Sequence, residues 1–273
     1  MKIIKHKLFL DDQTPANFVP TKNVGGTIKP VYLIMHYTAG LTAAGAIHWF
    51  VDPNASASAH LVIDRDGAIT QLVPFNQKAW HAGKSQWQNL IGLNSYSIGI
   101  EMVNGGLLTQ QGQKWVTWSG QAVKAGEVML ATHKNETVER GWHTYTTAQI
   151  EAAAEVGVLL VKEYGLRDVL GHEDIAPGRK ADPGPAFPMN SFRGRVMGRA
   201  TDESTLEKFH TTTELNIRSG PGTEYETIIS KPLPPDTEVE LLEKQGSWWL
   251  VDVNGTIHGV NDLQGWVHSR YLA

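Results

Sequence analysis

The sequence predicts a mixed α/β domain, its central β-sheet flanked by helices, followed by a small all-β barrel. Three observations carry this. Up to about residue 198, apolar runs of strand length are interleaved with helical stretches. Beyond residue 210, short alternating runs are broken by Gly220-Pro221-Gly222, residues 232–236, Gly246, Asn254-Gly255 and Gly265, the punctuation of a small barrel. The charge balance also changes: residues 1–198 carry 18 Lys+Arg and 16 Asp+Glu, a net of +2, whereas residues 199–273 carry 6 and 12, a net of -6. A length of 273 residues suits two domains. The expected division is a first domain over 1–197, a linker over 198–210 and a barrel over 211–273.

In order along the chain, residues 31–38 form an apolar run between Pro30 and Gly40, read as a buried strand with His36 near its end. Residues 42–51 suit a short helix closed by Asp52-Pro53. Residues 59–64 read as a second strand, turned by Asp66-Gly67 into a third over 69–73. Residues 97–103 are a fourth. Thr147 is the expected cap of a helix over 148–164, with Ile150, Val156, Leu159, Leu160 and Tyr164 on one face and Gly165 as its stop. Residues 104–146 fit no period and read as a long surface excursion.

Composition excludes several function classes. With no cysteine there is no disulfide scaffold, thiol nucleophile or thiolate metal site, so a metal must sit on His, Asp or Glu. A net charge of -4 argues against a nucleic-acid partner. No phosphate-binding loop or dinucleotide fingerprint is present. No apolar stretch is long enough to span a membrane. The basic start lacks the apolar core of a classical signal peptide, so a chain that is cytoplasmic before release or delivery to the wall or periplasm is expected. The oligomeric state is left open, with a monomer favoured.

The chemistry concentrates in two places. His36, taken alone, reads equally well as a buried, hydrogen-bonded histidine. The Gly/Pro-rich segment 171–185 then brings His172, Arg179, Lys180 and Asp182 together after the long helix, more ionisable groups than packing requires. Two histidines and one aspartate make a three-ligand zinc site with one position left for water.

The motifs resemble those of the zinc-dependent N-acetylmuramoyl-L-alanine amidases of the type-2 family, which also includes the T7-type lysozyme and the peptidoglycan recognition proteins. The resemblance covers roughly residues 28–190. It rests on the strand ending in His36, on Ser58-Ala59-His60 with the hairpin Ile63-Asp64-Arg65-Asp66-Gly67, and on Ala79-Trp80-His81-Ala82-Gly83. It continues through Asn94 to Ile98-Gly99-Ile100-Glu101 and closes with Gly171-His172 and Arg179-Lys180-Ala181-Asp182-Pro183-Gly184. The resemblance implies that His36, His172 and Asp182 hold Zn²⁺. It implies Glu101 as general base for the attacking water and Lys180 as stabiliser of the oxyanion. It places His81, Ala82 and Gly83 at the substrate groove, with His60 and Arg179 as further substrate contacts; His60 could equally pack beside the third strand, and Arg179 could brace its loop. His48 reads as structural, and His133 and His143 as solvated. Trp115 and Trp118 read either as an exposed platform or as the excursion's own core.

Residues 215–225, Trp248-Trp249-Leu250-Val251 and residues 265–272 resemble a bacterial SH3-like domain, which implies a wall-binding module. Together the two resemblances imply hydrolysis of the amide between N-acetylmuramic acid and L-alanine of the peptidoglycan stem peptide, acting on peptidoglycan or muropeptides. The alternative is a non-catalytic peptidoglycan-binding protein. A phage or prophage endolysin is the favoured setting, beside a recycling enzyme or an effector delivered between cells.

Overall fold

The computed structural model describes residues 1–10, 14–201, 207–260 and 263–273. These divide into two compact units, Met1–Met189 and Asn190–Ala273.

The first unit is built on a six-stranded sheet. Its spatial order is Asp168–Gly171, Tyr32–Tyr37, Ser97–Met102, Leu61–Ile63, Ile69–Gln71 and Asn17–Phe18. The first four strands run parallel. The Asp66-Gly67 turn reverses the chain, so Leu61–Ile63 and Ile69–Gln71 pair antiparallel as expected. Gly67 takes φ +88° there, the left-handed conformation the tight turn needs. Parallel strands are covered on both faces and therefore read as continuous apolar runs. Leu33, Ile34 and Met35 accordingly have no exposed surface. One apolar cluster joins Tyr32 and Ile34 to Ala82, Leu93, Leu170 and Ile175. Another joins Val62 to Phe50, Ala59, Leu72, Val73, Ala79 and Val103.

Helix Ala43–Val51 starts where the Thr42 side chain accepts the Gly45 N–H. Helix Thr147–Tyr164 starts one residue earlier than expected. Its cap is Thr146, not Thr147, because Thr146 and Gln149 close a reciprocal capping box. Gly165 ends it in the left-handed conformation.

Residues 104–146 are not the irregular excursion the sequence suggested. They hold a five-stranded sheet in the order Ala122–Val123, Lys114–Val116, Leu107–Gln111, Glu139–His143, Val128–Thr132. Its strands are two to five residues long and largely exposed, with Leu108, Val116, Val123 and Trp142 among their few buried side chains. Short strands of this kind leave no periodicity to read.

The second unit carries a four-stranded antiparallel sheet in the order Lys208–His210, Glu238–Gln245, Trp248–Val253, Leu263–His268. Its core is aliphatic: Leu215, Ile217, Leu233, Val239, Val251, Val253, Leu263 and Val267. Trp248, Trp249 and Trp266 are half-buried rather than central. Helix Met189–Thr201 runs through the expected start of the linker at residue 198, and residues 202–206 of that linker lie outside the described residues. Among the described residues no helix is long and apolar enough to cross a membrane.

Candidate active site

The carboxyl ends of three parallel strands converge, the usual place for a site in an open α/β sheet. His36 is the fifth residue of its strand, and Glu101 is its direct partner on the neighbouring strand. On the other side, Gly171 pairs with Met35 and delivers His172 immediately afterwards. Asp182 comes from the loop that follows. His36 Nδ1, His172 Nδ1 and Asp182 Oδ2 form a triangle with all three edges 2.9 Å. All three residues are buried.

Hydrogen bonding behind the triangle fixes its proton inventory. Ser97 Oγ donates to Leu93 O at 2.6 Å, so it accepts from His81 Nε2 at 3.3 Å. His81 Nδ1 is then a lone pair, which accepts the His36 Nε2 proton at 2.9 Å. His36 therefore turns a bare Nδ1 to the triangle. His172 Nε2 donates to Ala82 O at 3.1 Å and leaves its own Nδ1 bare. Two nitrogen lone pairs and a carboxylate oxygen thus face one another with no proton between the nitrogens. That donor set repels itself unless a cation stands among the three atoms, and edges of this length allow one ion to reach all three at zinc-like distances of about 2 Å. The residues fit a divalent metal.

The ionisation directions agree. Burial, then the neighbouring His172, lowers His36 to about 4. Burial acts to raise Asp182, but the adjoining His172 and His36 rings hold its carboxyl below the ordinary carboxylate range. Burial, then the Asp182 charge, pushes Glu101 well above that range. Glu101 Oε2 is buried with no hydrogen-bond partner, as suits a carboxyl whose counterpart arrives with a substrate.

A cleft of ≈ 450 Å³ opens onto these groups. His81, Glu101, His172, Arg179, Lys180 and Asp182 line it together with Tyr37, Trp49 and Trp80. Lys180 is exposed on the ligand loop. Arg179 lines the cleft and also braces it, donating to Ala82 O at 2.9 Å and Lys84 O at 2.7 Å.

The other expected site residues separate. His60 is fully buried; its Nδ1 accepts the Gly99 N–H and its Nε2 bonds Gln77 O, so it has no atom to offer a substrate. It holds the sheet beside the site instead. Ala82 is also buried, its N–H given to Asn94 Oδ1 and its carbonyl to His172 and Arg179. Gly83 is exposed at φ +56° against the Arg179 guanidinium. His81 is chiefly the partner of His36. Its ring lies against Gly99, where a Cβ would come within 2.5 Å. His48 is exposed. His133 and His143 are buried, not solvated, because the sheet over 107–143 encloses them. Trp115 packs on Gly141, whereas Trp118 is 78% exposed with its Nε1–H on Ala39 O. Ser97, Asn94 and Trp49 were not expected at the site, and Trp80 only as part of the segment bordering the groove. Trp80 and Asn94 stand inside recognised motifs, but nothing in their local pattern separates a lining residue from a packed one.

Residues 26–185 match the N-acetylmuramoyl-L-alanine amidase family, and residues 213–273 match the bacterial SH3 domain. The 1,6-anhydro-N-acetylmuramyl-L-alanine amidase AmpD of Escherichia coli (strain K12) is 38% identical over 146 residues, 53% of this chain and 61% of that enzyme. AmpD of Enterobacter cloacae is 33% identical over 196 residues, 65% of this chain and 86% of the relative. Among solved structures, an AmpD selenomethionine derivative superposes with a TM-score of 0.51 at 28% identity, covering 73% of this chain and 99% of that one.

Proposed function

The chain belongs to the N-acetylmuramoyl-L-alanine amidase family, and from that premise we propose that it hydrolyses the amide joining N-acetylmuramic acid to the L-alanine of a peptidoglycan stem peptide, with zinc on His36, His172 and Asp182. The observation that carries the reading is the metal-shaped triangle of two bare imidazole nitrogens and a carboxylate oxygen, with a partnerless carboxyl, Glu101, one strand away.

Held by His36, His172 and Asp182, zinc would supply the Lewis acidity that polarises a carbonyl and acidifies water. Glu101 takes the proton from the attacking water and passes it to the leaving amide nitrogen. Its burial suits a shuttle, since a carboxyl raised above its ordinary range is a stronger base toward the attacking water. The Lys180 ammonium faces the charge that develops on the carbonyl oxygen. Trp49 and Trp80, 55% and 38% exposed beside the cleft, offer apolar faces to a sugar ring. The name of AmpD points to 1,6-anhydro-N-acetylmuramyl-L-alanine compounds as one substrate pool. The SH3 domain points to a wall-held one, and its proposed role is to keep the enzyme on peptidoglycan.

Product analysis tests this. Purified peptidoglycan is incubated with zinc-loaded, chelator-treated and Glu101→Ala protein, and products are separated by mass spectrometry. Free stem peptides beginning at L-alanine are expected from the loaded protein. They should vanish with chelator and fall roughly 10²–10⁴-fold in the variant. A zinc-loaded protein that binds the wall but releases nothing would overturn the reading and leave a non-catalytic peptidoglycan-binding protein.

A further inference from the structure

The turn between strands Val128–Thr132 and Glu139–His143 reaches the loop that carries two of the three triangle residues. His133 lies in this turn, 2% exposed and stacked on Trp142 with ring centroids 5.7 Å apart. Its Nδ1 accepts the Asn135 N–H, so its Nε2 carries the proton and donates to Glu173 Oε2 at 2.5 Å. Lys134 Nζ reaches Glu173 Oε1 at 2.8 Å and Asp174 Oδ1 at 2.6 Å. Glu173 directly follows His172 and is itself buried. Its N–H donates to Asp182 O at 2.9 Å. Asp174 uses its other oxygen to accept the Gly171 N–H at 2.7 Å. Trp142 closes the same loop from another side: a Cβ on Gly184 would come within 2.7 Å of its ring.

Two neighbouring residues of the 104–146 segment thus grip the single helical turn, His172–Ile175, on which one triangle residue sits. That turn is tied by its backbone to another, Asp182. His133, Lys134, Glu173 and Asp174 do not line the cleft, so none is placed to touch a substrate there. A buried carboxylate is costly unless paired, and both oxygens of Glu173 are paired by this one turn. Removing a partner gives Glu173 a strong reason to seek water. Any such movement is transmitted to the adjacent His172 and to the Asp182 backbone.

We propose that His133 and Lys134 are positioning residues for the metal centre, anchoring Glu173 and Asp174 so that His172 and Asp182 stay where one divalent cation meets both. The inference rests on the zinc reading above and extends it to a part of the chain that reading does not use. The function it gives the 107–143 sheet is that of a built-in brace.

The test uses the full chain and zinc itself. Zinc affinity is measured by competition with a chromogenic chelator for the parent, Lys134→Met, His133→Ala and His133→Gln, alongside the melting temperature of each metal-free protein. Lys134→Met and His133→Ala should weaken zinc by about 10-fold or more, the range typical of lost outer-shell partners. His133→Gln keeps an amide N–H for Glu173 and should recover most of the His133→Ala loss. Lys134 is half-exposed, so its variant reports even if His133→Ala does not fold. Zinc affinity within about twofold of the parent in folded Lys134→Met, or a glutamine no better than alanine, would overturn the brace, whatever the melting temperatures do. A parent chain that binds no zinc would instead overturn the metal reading, and that result precedes any comparison of variants.

Discussion

His36 can offer a metal a bare nitrogen because of three groups that never meet it: His81, Ser97 and the Leu93 carbonyl. Breaking the chain at its middle should show in metal binding before it shows in chemistry. His81→Ala is expected to lower zinc affinity roughly 10–100-fold in chelator competition. Lys180→Ala should leave zinc affinity intact and lower kcat by about 10²-fold, measured on a soluble muropeptide. His60 carries a pH signature. Burial, then the neighbouring His36, lowers it to about 4 against an ordinary value of 6.5, and its Nδ1 accepts the Gly99 N–H. The folded chain therefore binds this proton more weakly than the unfolded chain does. The stability it contributes is whole above pH 6.5 and is lost as pH falls toward 4, about 3 kcal/mol in all. Urea midpoints of metal-free protein at pH 7 and pH 5 should lie closer together in His60→Gln than in the parent. That the triangle residues and Glu101 come together was legible in the sequence because each stands in a recognisable motif. The inward role of His81 was not, and for His60 packing and substrate contact both stayed open, since a histidine bonded to backbone and one facing a cleft look alike in a string of letters.

At the scale of elements, three of the four parallel strands were readable from their unbroken apolar runs, and the hairpin from Asp66-Gly67; Asp168–Gly171, with only Val169 and Leu170 apolar, was not. The long helix was readable to within one residue of its cap. Thr146 and Thr147 are equivalent by type, and only the reciprocal bond with Gln149 separates them. Thr146→Ala should cost about 1 kcal/mol in thermal or urea unfolding, and Thr147→Ala much less. The sheet over 107–143 escaped because strands such as Leu107–Gln111 follow two adjacent leucines, one buried and one half-buried, with three exposed polar residues and show no alternation. Gly99 shows what an element contributes beyond its hydrogen bonds: the strand is bare at that point so that the His81 ring can lie across it. Gly99→Ala should destabilise the chain by roughly 1–3 kcal/mol through overpacking. It should also weaken zinc, because the displaced ring is the one that orients His36.

For the whole molecule, the two units carry separate cores, and residues 1–189 contain every group assigned to catalysis. A chain cut after residue 189 should keep its rate on soluble muropeptides and lose retention on insoluble peptidoglycan, read by co-sedimentation and product release. The order of the central sheet has a consequence for how the protein is made. The Tyr32–Tyr37 strand lies between Ser97–Met102 and Asp168–Gly171, so one of its two neighbours leaves the ribosome about 130 residues after it. At ordinary rates of synthesis that interval is on the order of ten seconds, during which Leu33, Ile34 and Met35 border an unpaired edge. A nascent chain in that state is a template for wrong partners. Soluble yield should therefore rise when chaperones are co-expressed, and a chain stopped before Asp168 should accumulate in the insoluble fraction.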